Sequence, residues 1–449
     1  TTLPSSNTLQ GAAVLKSDNR NASVVYTDPF ALGGTLQVSV SSNRQQTNSR
    51  FNLLNPRYDS RFTVNYTQSL LRNFGYDVNR AGIRIARRNT QISESQFRQT
   101  VLDVLAQVEK AYWDLKFAAE DLKVKEHSLQ LSHQTLEENR IRVDVGTMAP
   151  IDVTTAEAEV ASRQEAVLLA RNAMDNARDQ LLLNLNQPRS SALWVLPVRP
   201  VDEPDFDADL KIDLEQAIAD AMEHRPDLEQ VRLAMENDRD EVTRAKSQMR
   251  WDLTGTAQYG RTGLSGDAAS VTVPDPVNPG LFITIPAQDE SVFDSLKEFY
   301  SQEFDNWLAS IQLVIPLGNK QAKANYISTR VQQEQRGKTL ENATLAAIIQ
   351  VRTAARSVAN TIERVKAARV SVRLQREKLE AENKRYENGM TTTFTLFQIQ
   401  DDLVQAERQV ILAQVDYSKA LADLEAAKGT LAEARGVHLA DLLTGEAAP

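Results

Sequence analysis

The tract from about Asn79 to Arg142 contains no proline and reads as one unbroken helix. Some 60 helical residues would extend roughly 90 Å at 1.5 Å per residue, far beyond the helix of an ordinary globular domain. It ends at Gly146, four residues ahead of Pro150, in RVDVGTMAPIDVTTAEAEV (142–160), and a second helix then runs to about Asn186. The same design returns in RYENGMTTTFTLFQIQDDL (385–403), between a helix over about Gln321 to Lys384 and a last one reaching about Ala434. An offset of 243 lays Arg142 and Gly146 on Arg385 and Gly389, and Val167, Leu169 and Ala170 on Val410, Leu412 and Ala413. It also lays Ala177 and Leu181 on Ala420 and Leu424. A tandem duplication of a strand–helix–turn–helix unit accounts for this register.

Heptads tell what the helices do. Val153, Val160, Val167, Met174 and Leu181 are spaced by seven, as are Leu396, Leu403, Val410, Tyr417 and Leu424. A second row, Ile399, Ala406, Ala413, Ala420 and Ala427, accompanies the latter; its counterpart Ala156, Ala170 and Ala177 is interrupted by Arg163 and Asn184. A period of 3.5 makes left-handed supercoiled pairs, and alanine at the seam lets the axes approach closely. Each glycine is therefore the turn of an antiparallel helical hairpin. Gly146 and Gly389 supply the positive φ that ends a helix. Thr147 and Thr391 to Thr393 are expected to cap the helices that follow, with Pro150 in a first turn.

Four stretches alternate with a period of two. Their apolar sets are Leu36, Val38 and Val40; Phe62, Val64 and Tyr66; Leu253 to Tyr259 in alternation; and Trp307, Ala309, Ile311, Leu313 and Ile315. Such a pattern marks a strand with one apolar face. Four short strands beside helices this long have nothing to bury that face against. In lipid the difficulty disappears, provided that several chains together close a barrel. No run approaches the roughly 18 apolar residues of a membrane-spanning helix, so strands are the only route into a bilayer. Thr1-Thr2-Leu3-Pro4 shows neither the charged nor the apolar region of a signal peptide. A Pro-rich connector spans Gln187 to Pro204, a helix over about Asp213 to Met249 is expected to break near His224–Asp227, and Gly260 to about Glu303 reads as irregular.

With 60 acidic and 51 basic residues, a chain-wide nucleic-acid surface is excluded. The absence of cysteine excludes disulfides, thiolate metal sites and cysteine nucleophiles. His127, His133, His224 and His438 are scattered, with no same-face metal pair among them. No phosphate loop, nucleophile elbow or zinc-protease motif occurs, so no enzyme activity and no cofactor are expected. Arg80, Arg84, Arg87 and Arg88 read either as a contact for anionic headgroups or as a helix face balanced by Asp77 and Glu94.

The duplication, Arg225-Pro226-Asp227-Leu228, Gln312-Leu313-Val314-Ile315-Pro316-Leu317 with Gln68-Ser69-Leu70-Leu71 in its place in the first copy, Arg385-Tyr386 before Gly389, and the heptads together carry a resemblance. The chain resembles the TolC-like outer-membrane efflux and secretion channels. The resemblance implies a mixed α/β membrane protein: a homotrimer sharing one 12-stranded β-barrel, about four strands per chain, continued by an antiparallel coiled-coil helical barrel through the periplasm. Its partners would be a periplasmic adaptor (membrane fusion) protein and an inner-membrane RND, ABC or MFS transporter, in efflux or type I secretion. On this basis residues 1–71 hold barrel strands and an extracellular loop, 72–190 a helical hairpin, and 191–212 the connector. In the second copy 213–250 form a helix, 251–317 strands and loop, 318–435 the hairpin, and 436–449 a tail. The family's first helix and first strand have no counterpart before residue 35. Residues 22–42, with Asp28-Pro29 and Gly33-Gly34, read as a hairpin that either adds barrel strands or forms an external loop.

The resemblance also assigns sites. Well-studied members carry acidic residues six and nine positions after the second glycine; here those positions are Thr395 and Gln398. The next position on that face is Asp402, and Asp152 lies six after Gly146, so Asp402 and Asp152 are expected to form the acidic pore constriction. Asp402 suits a solvated coiled-coil surface equally, and Asp152 suits it better than a constriction. Gly146, Thr147, Met148, Gly389, Met390 and Thr391 are the expected adaptor contacts, and Tyr66, Tyr259 and Trp307 the membrane-interface aromatics. The competing reading is a soluble coiled-coil scaffold that holds partners at its hairpin tips.

Overall fold

The computed structural model describes residues 2–4, 14–49, 52–274, 280–300 and 304–437. Expectations for His438 and for the tail beyond Val437 lie outside the described residues. Two compact units emerge, one of Thr1–Arg88 with Met235–Arg336, the other of Asn89–Ala234 with Gly337–Pro449.

The first unit is built on an antiparallel sheet in the order β1 (Thr2–Pro4), β2 (Val14–Pro29), β3 (Gly34–Thr47), β4 (Arg57–Ser69), β5 (Asp252–Gly266) and β8 (Asp305–Val314). The four alternating stretches are β3, β4, β5 and β8, side by side. The hairpin within 22–42 joins them as β2–β3, so the sheet extends beyond the four strands expected per chain. Residues paired across strands share a face. Tyr26, Val38, Val64, Tyr259 and Trp307 form one row across five strands, and Thr27, Gln37, Asn65, Gln258 and Leu308 form a row on the other face. Beyond the end where α5 and Phe299 rest on it, the apolar side of the sheet is left open among the described residues: Tyr26 is 61% and Trp307 78% exposed.

The stretch expected to be irregular, 260–303, is partly structured. β5 continues to Gly266, β6 (Val271–Pro274) and β7 (Phe282–Ile285) pair as a separate hairpin, and α5 (Val292–Lys297) packs on the main sheet. This helix starts because Ser291 and Asp294 make a capping box, a signal too short to carry any periodicity. Buried Ser295 then meets the Ser60 hydroxyl at 2.6 Å.

Helices α1 (Tyr76–Asp144) and α4 (Pro226–Gln248) also contribute to this unit. Asp240 receives Arg84 at 2.7 Å and Arg88 at 2.6 Å, and Glu236 receives Arg88 at 2.9 Å. The basic cluster is therefore half neutralised from α4; Asp77 reaches Arg84 only at 3.9 Å, and the main counter-charge is not Glu94 but Asp240, which no local pattern on α1 could reveal. Arg84's hydrogen bonds, against partial desolvation and joined by those of Arg88, hold the Asp240 carboxyl below the usual carboxylate range.

The second unit holds two hairpins, α1–α2 (α2 is Pro150–Asn184) and α6–α7 (Lys320–Glu387 and Thr393–Lys428), with α3 (Leu214–His224) beside the second. The heptad rows form the seams. Leu122 packs with Val167 and Ala170; Val351, Val358, Ile362 and Val365 pack with Ala413, Tyr417, Ala420 and Leu424. Among the described residues no helix is long and apolar enough to cross a membrane.

The break at Arg225 has a physical cause. Pro226 starts α4 and cannot continue α3. Arg225 turns back to Asp227 at 2.7 Å and reaches Gln350 at 2.8 Å and the Ala427 carbonyl at 3.1 Å, tying the break to α6 and α7. Partial burial opposes ionisation of Asp227, but Arg225 outweighs it and holds the carboxyl low. Opposite the break, the last helix does not run through to Ala434. It stops at Gly429 (φ 81°), and a short α8 (Leu431–Ala434) follows.

A Cβ at Gly429 would lie 2.9 Å from the His224 carbonyl, whereas one at Gly389 meets nothing within 4 Å. Gly389→Ala should therefore cost only the left-handed backbone term, about 1–2 kcal/mol. Gly429→Ala should cost clearly more, and comparing the thermal unfolding of the two variants checks this.

Candidate functional site at the hairpin tips

Both turns close as the glycines require. At Gly146 (φ 78°) the amides of Gly146 and Thr147 donate to the carbonyls of Val143 and Arg142; at Gly389 (φ 69°) those of Gly389 and Met390 donate to Tyr386 and Arg385. This is the double carbonyl capping of a Schellman turn. The helices that follow start differently. Thr392 caps α7 by accepting from the Thr395 amide at 3.3 Å. Thr147 caps nothing ahead of it: its hydroxyl donates back to the Arg142 carbonyl at 3.0 Å. α2 starts from Ala149 without a side-chain cap, and Pro150 at its first position removes one of the amides that would need one.

Within each hairpin the seam is apolar; between the hairpins it is mixed, with Phe397 of α7 set against Leu136, Ala156 and Val160, Leu431 and Ala432 against Leu102, and polar groups elsewhere. Toward its tip α1 buries Ser128, Ser132, Thr135 and Asn139, a stripe at spacings of four, three and four. α1 and α7 are joined by ion pairs: Lys110 with Asp423, Asp114 with Lys419, and Asp121 with Arg408 at 3.3 Å. Arg163, which interrupts the alanine row of α2, extends the series. Its buried guanidinium reaches Asp401 at 3.2 Å, Glu159 at 2.6 Å and the Ser128 hydroxyl at 2.9 Å, and lies over the Phe397 ring at 5.4 Å. Most of these carboxylates are exposed, where an ion pair contributes about 0–1 kcal/mol.

The series ends in a buried knot at the tips. The Tyr386 hydroxyl donates to Asn139 Oδ1 and lies 3.3 Å from the Thr393 hydroxyl, which donates to Asp152 Oδ1 at 3.2 Å. Asn139 Nδ2 is 3.4 Å from both Thr393 Oγ1 and the Asp152 carbonyl. Arg142 covers the Tyr386 ring at 4.8 Å and donates to the Tyr386 carbonyl at 3.3 Å. Asn139, Tyr386 and Thr393 are almost completely buried.

Of the residues singled out for the constriction, only Asp152 belongs to this knot. Asp402 pairs with Lys378 at 2.9 Å, Thr395 bonds Thr392 inside its own turn, and Gln398 is exposed. Gly146, Thr147, Gly389 and Met390 are exposed; Met148 and Thr391 are half-buried. Sequence reasoning missed the exposed apolar neighbours Val145, Ile151 and Phe394, which with Met390 give both tips an unburied apolar surface. The Asn139–Thr393 knot lies outside every apolar heptad; its one local signal is the Ser128-Ser132-Thr135-Asn139 stripe. Tyr66, Tyr259 and Trp307 share the apolar face of the sheet, with Tyr259 and Trp307 directly paired and Tyr66 paired with Ala257 two residues along β5.

The family model described as outer membrane efflux protein matches residues 12–187 and 217–430, one segment per copy of the repeat. Outer membrane protein TolC of Vibrio cholerae serotype O1 is 22% identical over 379 residues, covering 82% of this chain and 76% of its own length. In backbone the chain is similar to the outer-membrane channel OprN, with a TM-score of 0.65, 14% identity, and coverage of 93% of this chain and 81% of that one. It is similar also to VceC of Vibrio cholerae (TM-score 0.64, 15% identity, 92% and 87% covered). A third such structure is the MtrE channel of Neisseria gonorrhoeae in its open state (0.61, 19%, 89% and 82%).

Tyr386→Phe should leave Asn139 Oδ1 buried without its donor, a loss of about 1–3 kcal/mol. Amide exchange should quicken at both tips and be unchanged at the Arg225 junction; equal protection in variant and parent would contradict the knot's role.

Proposed function

This chain belongs to the outer membrane efflux protein family, and on that premise we propose that it is the outer-membrane exit duct of a tripartite efflux pump or type I secretion system. It works as a homotrimer and a passive conduit, with its helices in the periplasm. The carrying observation is the two-faced sheet: a row from Tyr26 to Trp307 left uncovered by a chain whose helices bury their own apolar seams. Lipid is the medium in which such a face is stable and its backbone satisfied by strand pairing. A soluble scaffold offers that face nothing.

Gating follows from the two kinds of seam. Parting the helices inside a hairpin would expose Val358, Val365, Tyr417 and their neighbours to water. Parting one hairpin from the other exposes only the smaller apolar contacts of Phe397 and of Leu431 with Ala432, and otherwise exchanges ion pairs and hydrogen bonds for water at roughly 1 kcal/mol each. The hairpins therefore move as rigid pairs, and the knot of Tyr386, Asn139, Thr393 and Asp152 is the latch. A periplasmic adaptor that covers Val145, Ile151, Met390 and Phe394, around Gly146, Thr147, Met148, Gly389 and Thr391, supplies the differential contact that favours the parted state. The adaptor in turn couples the duct to an inner-membrane RND, ABC or MFS transporter.

Asp402 and Asp152 are the acids of the proposed constriction, with Thr395 and Gln398 beside them. Because Asp402 holds Lys378, removing its charge frees a cation as well as deleting an anion. Asp402→Asn should shift the reversal potential in bilayers toward anions, and an unchanged potential would remove Asp402 from the pore. Electron microscopy of the detergent-extracted protein tests the whole reading: a threefold particle with a detergent-belted end is expected, and a detergent-free monomer or simple dimer would end it.

A further inference from the structure

We propose that the rim where the sheet passes into the helices binds anionic phospholipid headgroups, chiefly through Arg72, Arg250, Lys320 and Lys323. This rests on the trimeric channel reading above and names the lipid that its helix-side rim selects.

The rim lies at one end of the apolar face. There β4 ends, β5 begins and β8 ends, with Ser69 paired to Thr254 and Asp252 to Val314. The crossings beyond are stitched together. The Leu70 amide donates to the Leu253 carbonyl at 2.8 Å, the Asn73 amide to the Ser247 hydroxyl at 3.0 Å, and Asn319 Nδ2 to the Met249 carbonyl at 3.1 Å. The two-residue period carries the apolar face up to this point. Tyr66 pairs with Ala257 and Ala257 with Ala309, and the row of Leu253 and Leu313 follows two pairs on. Trp251, 54% exposed, and Leu317, 96% exposed, come next, where acyl chains give way to water.

At that line the charge changes sign. In a chain of net charge −9, the rim carries Arg72 and Arg80, then Lys246 and Arg250, then Lys320 and Lys323, and no acid occurs from Ile315 to Arg330. The nearby acids of α4 are engaged elsewhere: Asp240 holds Arg84 and Arg88, and Glu241 holds Arg244 at 2.8 Å. Arg84 and Arg88 are therefore not part of the surface. Arg72 reaches only Asp252, at 3.9 Å, and its Nε is buried without an acceptor. Arg80 lies over the Tyr76 ring at 5.3 Å. Among the described residues Lys246, Arg250, Lys320 and Lys323 form no ion pair.

The two lysines stand where a helix disfavours them. α6 begins at Lys320, and its first turn holds no acid. The amino end of a helix is its positive end, so Lys320 and Lys323 work against the helix they start. Cations belong at the other end, where α6 has Lys384 and Arg385. An anion from outside the chain relieves this arrangement. An anionic phospholipid supplies one at the right depth, with its acyl chains along the row that ends at Leu70, Leu253 and Leu313 and its phosphate among the unpaired cations.

Titration of the detergent-extracted trimer with phosphatidylglycerol and with phosphatidylcholine, read by native mass spectrometry, tests the rim. The unmodified trimer should retain phosphatidylglycerol in preference, and the preference should shrink as salt is raised. Arg250→Gln with Lys320→Gln and Lys323→Gln should weaken phosphatidylglycerol about fivefold per charge removed and leave phosphatidylcholine unchanged. Arg250→Lys with Lys320→Arg and Lys323→Arg should keep the preference. Equal retention of the two lipids by the unmodified trimer would overturn the proposal and leave the channel reading standing. So would equal phosphatidylglycerol retention by parent and glutamine variant. Inorganic phosphate that displaces the lipid at equal concentration would also overturn it, as the mark of a site for soluble anions. A protein that forms no trimer and enters vesicles of neither lipid would instead overturn the channel reading, and the rim with it.

Discussion

The alanine-rich seam inside each hairpin is the interaction on which the rest depends. Ala413 and Ala420 let α7 approach α6 closely enough for Val358, Ile362 and Val365 to fill the remaining space, and Tyr417 closes it from the other row. Helices of 68 and 36 residues have no thick core to lean on, so this narrow apolar strip is what orders them. Once it is formed, each hairpin is a stiff rod with a fixed tip, and polar groups along its flanks can be used for something other than stability. Arg163 shows the consequence. At a seam position it would be a defect, yet desolvated beside Phe397 and bonded to Ser128, Glu159 and Asp401 it becomes a junction between hairpins.

Contrast between apolar and polar seams is also the physical basis of the proposed gating. Hydrophobic contact is costly to open in proportion to area, whereas exposed ion pairs are nearly neutral when exchanged for water. The more exposed Lys110–Asp423 and Asp114–Lys419 pairs therefore set register between hairpins without fusing them. The Tyr386–Asn139–Thr393 knot is deeply buried, as is the Arg163 junction beside Phe397, and both lie toward the tips, where they concentrate the resistance. The sheet obeys a different rule: its hydrogen bonds are satisfied from strand to strand, and its two faces differ in character, one apolar and one polar.

Much of this was legible beforehand because it is periodic. The helix lengths, the turns at Gly146 and Gly389, the break at Arg225-Pro226 and the four strands β3, β4, β5 and β8 all follow from spacing or from glycine and proline chemistry. What escaped has no period. The Ser291–Asp294 capping box is a single local event, Gly429 yields to the His224 carbonyl from another helix, and Thr147 turns backward because the Schellman turn leaves the Arg142 carbonyl within its reach. The tip knot draws on Asn139, Asp152, Tyr386 and Thr393, residues up to 254 positions apart. No window of sequence contains it.

By itself, then, the sequence determined the elements, their duplication and the two-sided character of the strands, since each depends on neighbours within a few residues and on which medium a side chain prefers. Only the tertiary structure decided which polar groups are joined: Asp240 with the arginines of α1, Arg163 with Asp401, Asp402 with Lys378. It also decided that β2 stays on the edge of β3. Such choices depend on which chemically equivalent partner the fold brings within about 3 Å, and hydrogen bonds and ion pairs fall off too steeply with distance for sequence separation to foretell them.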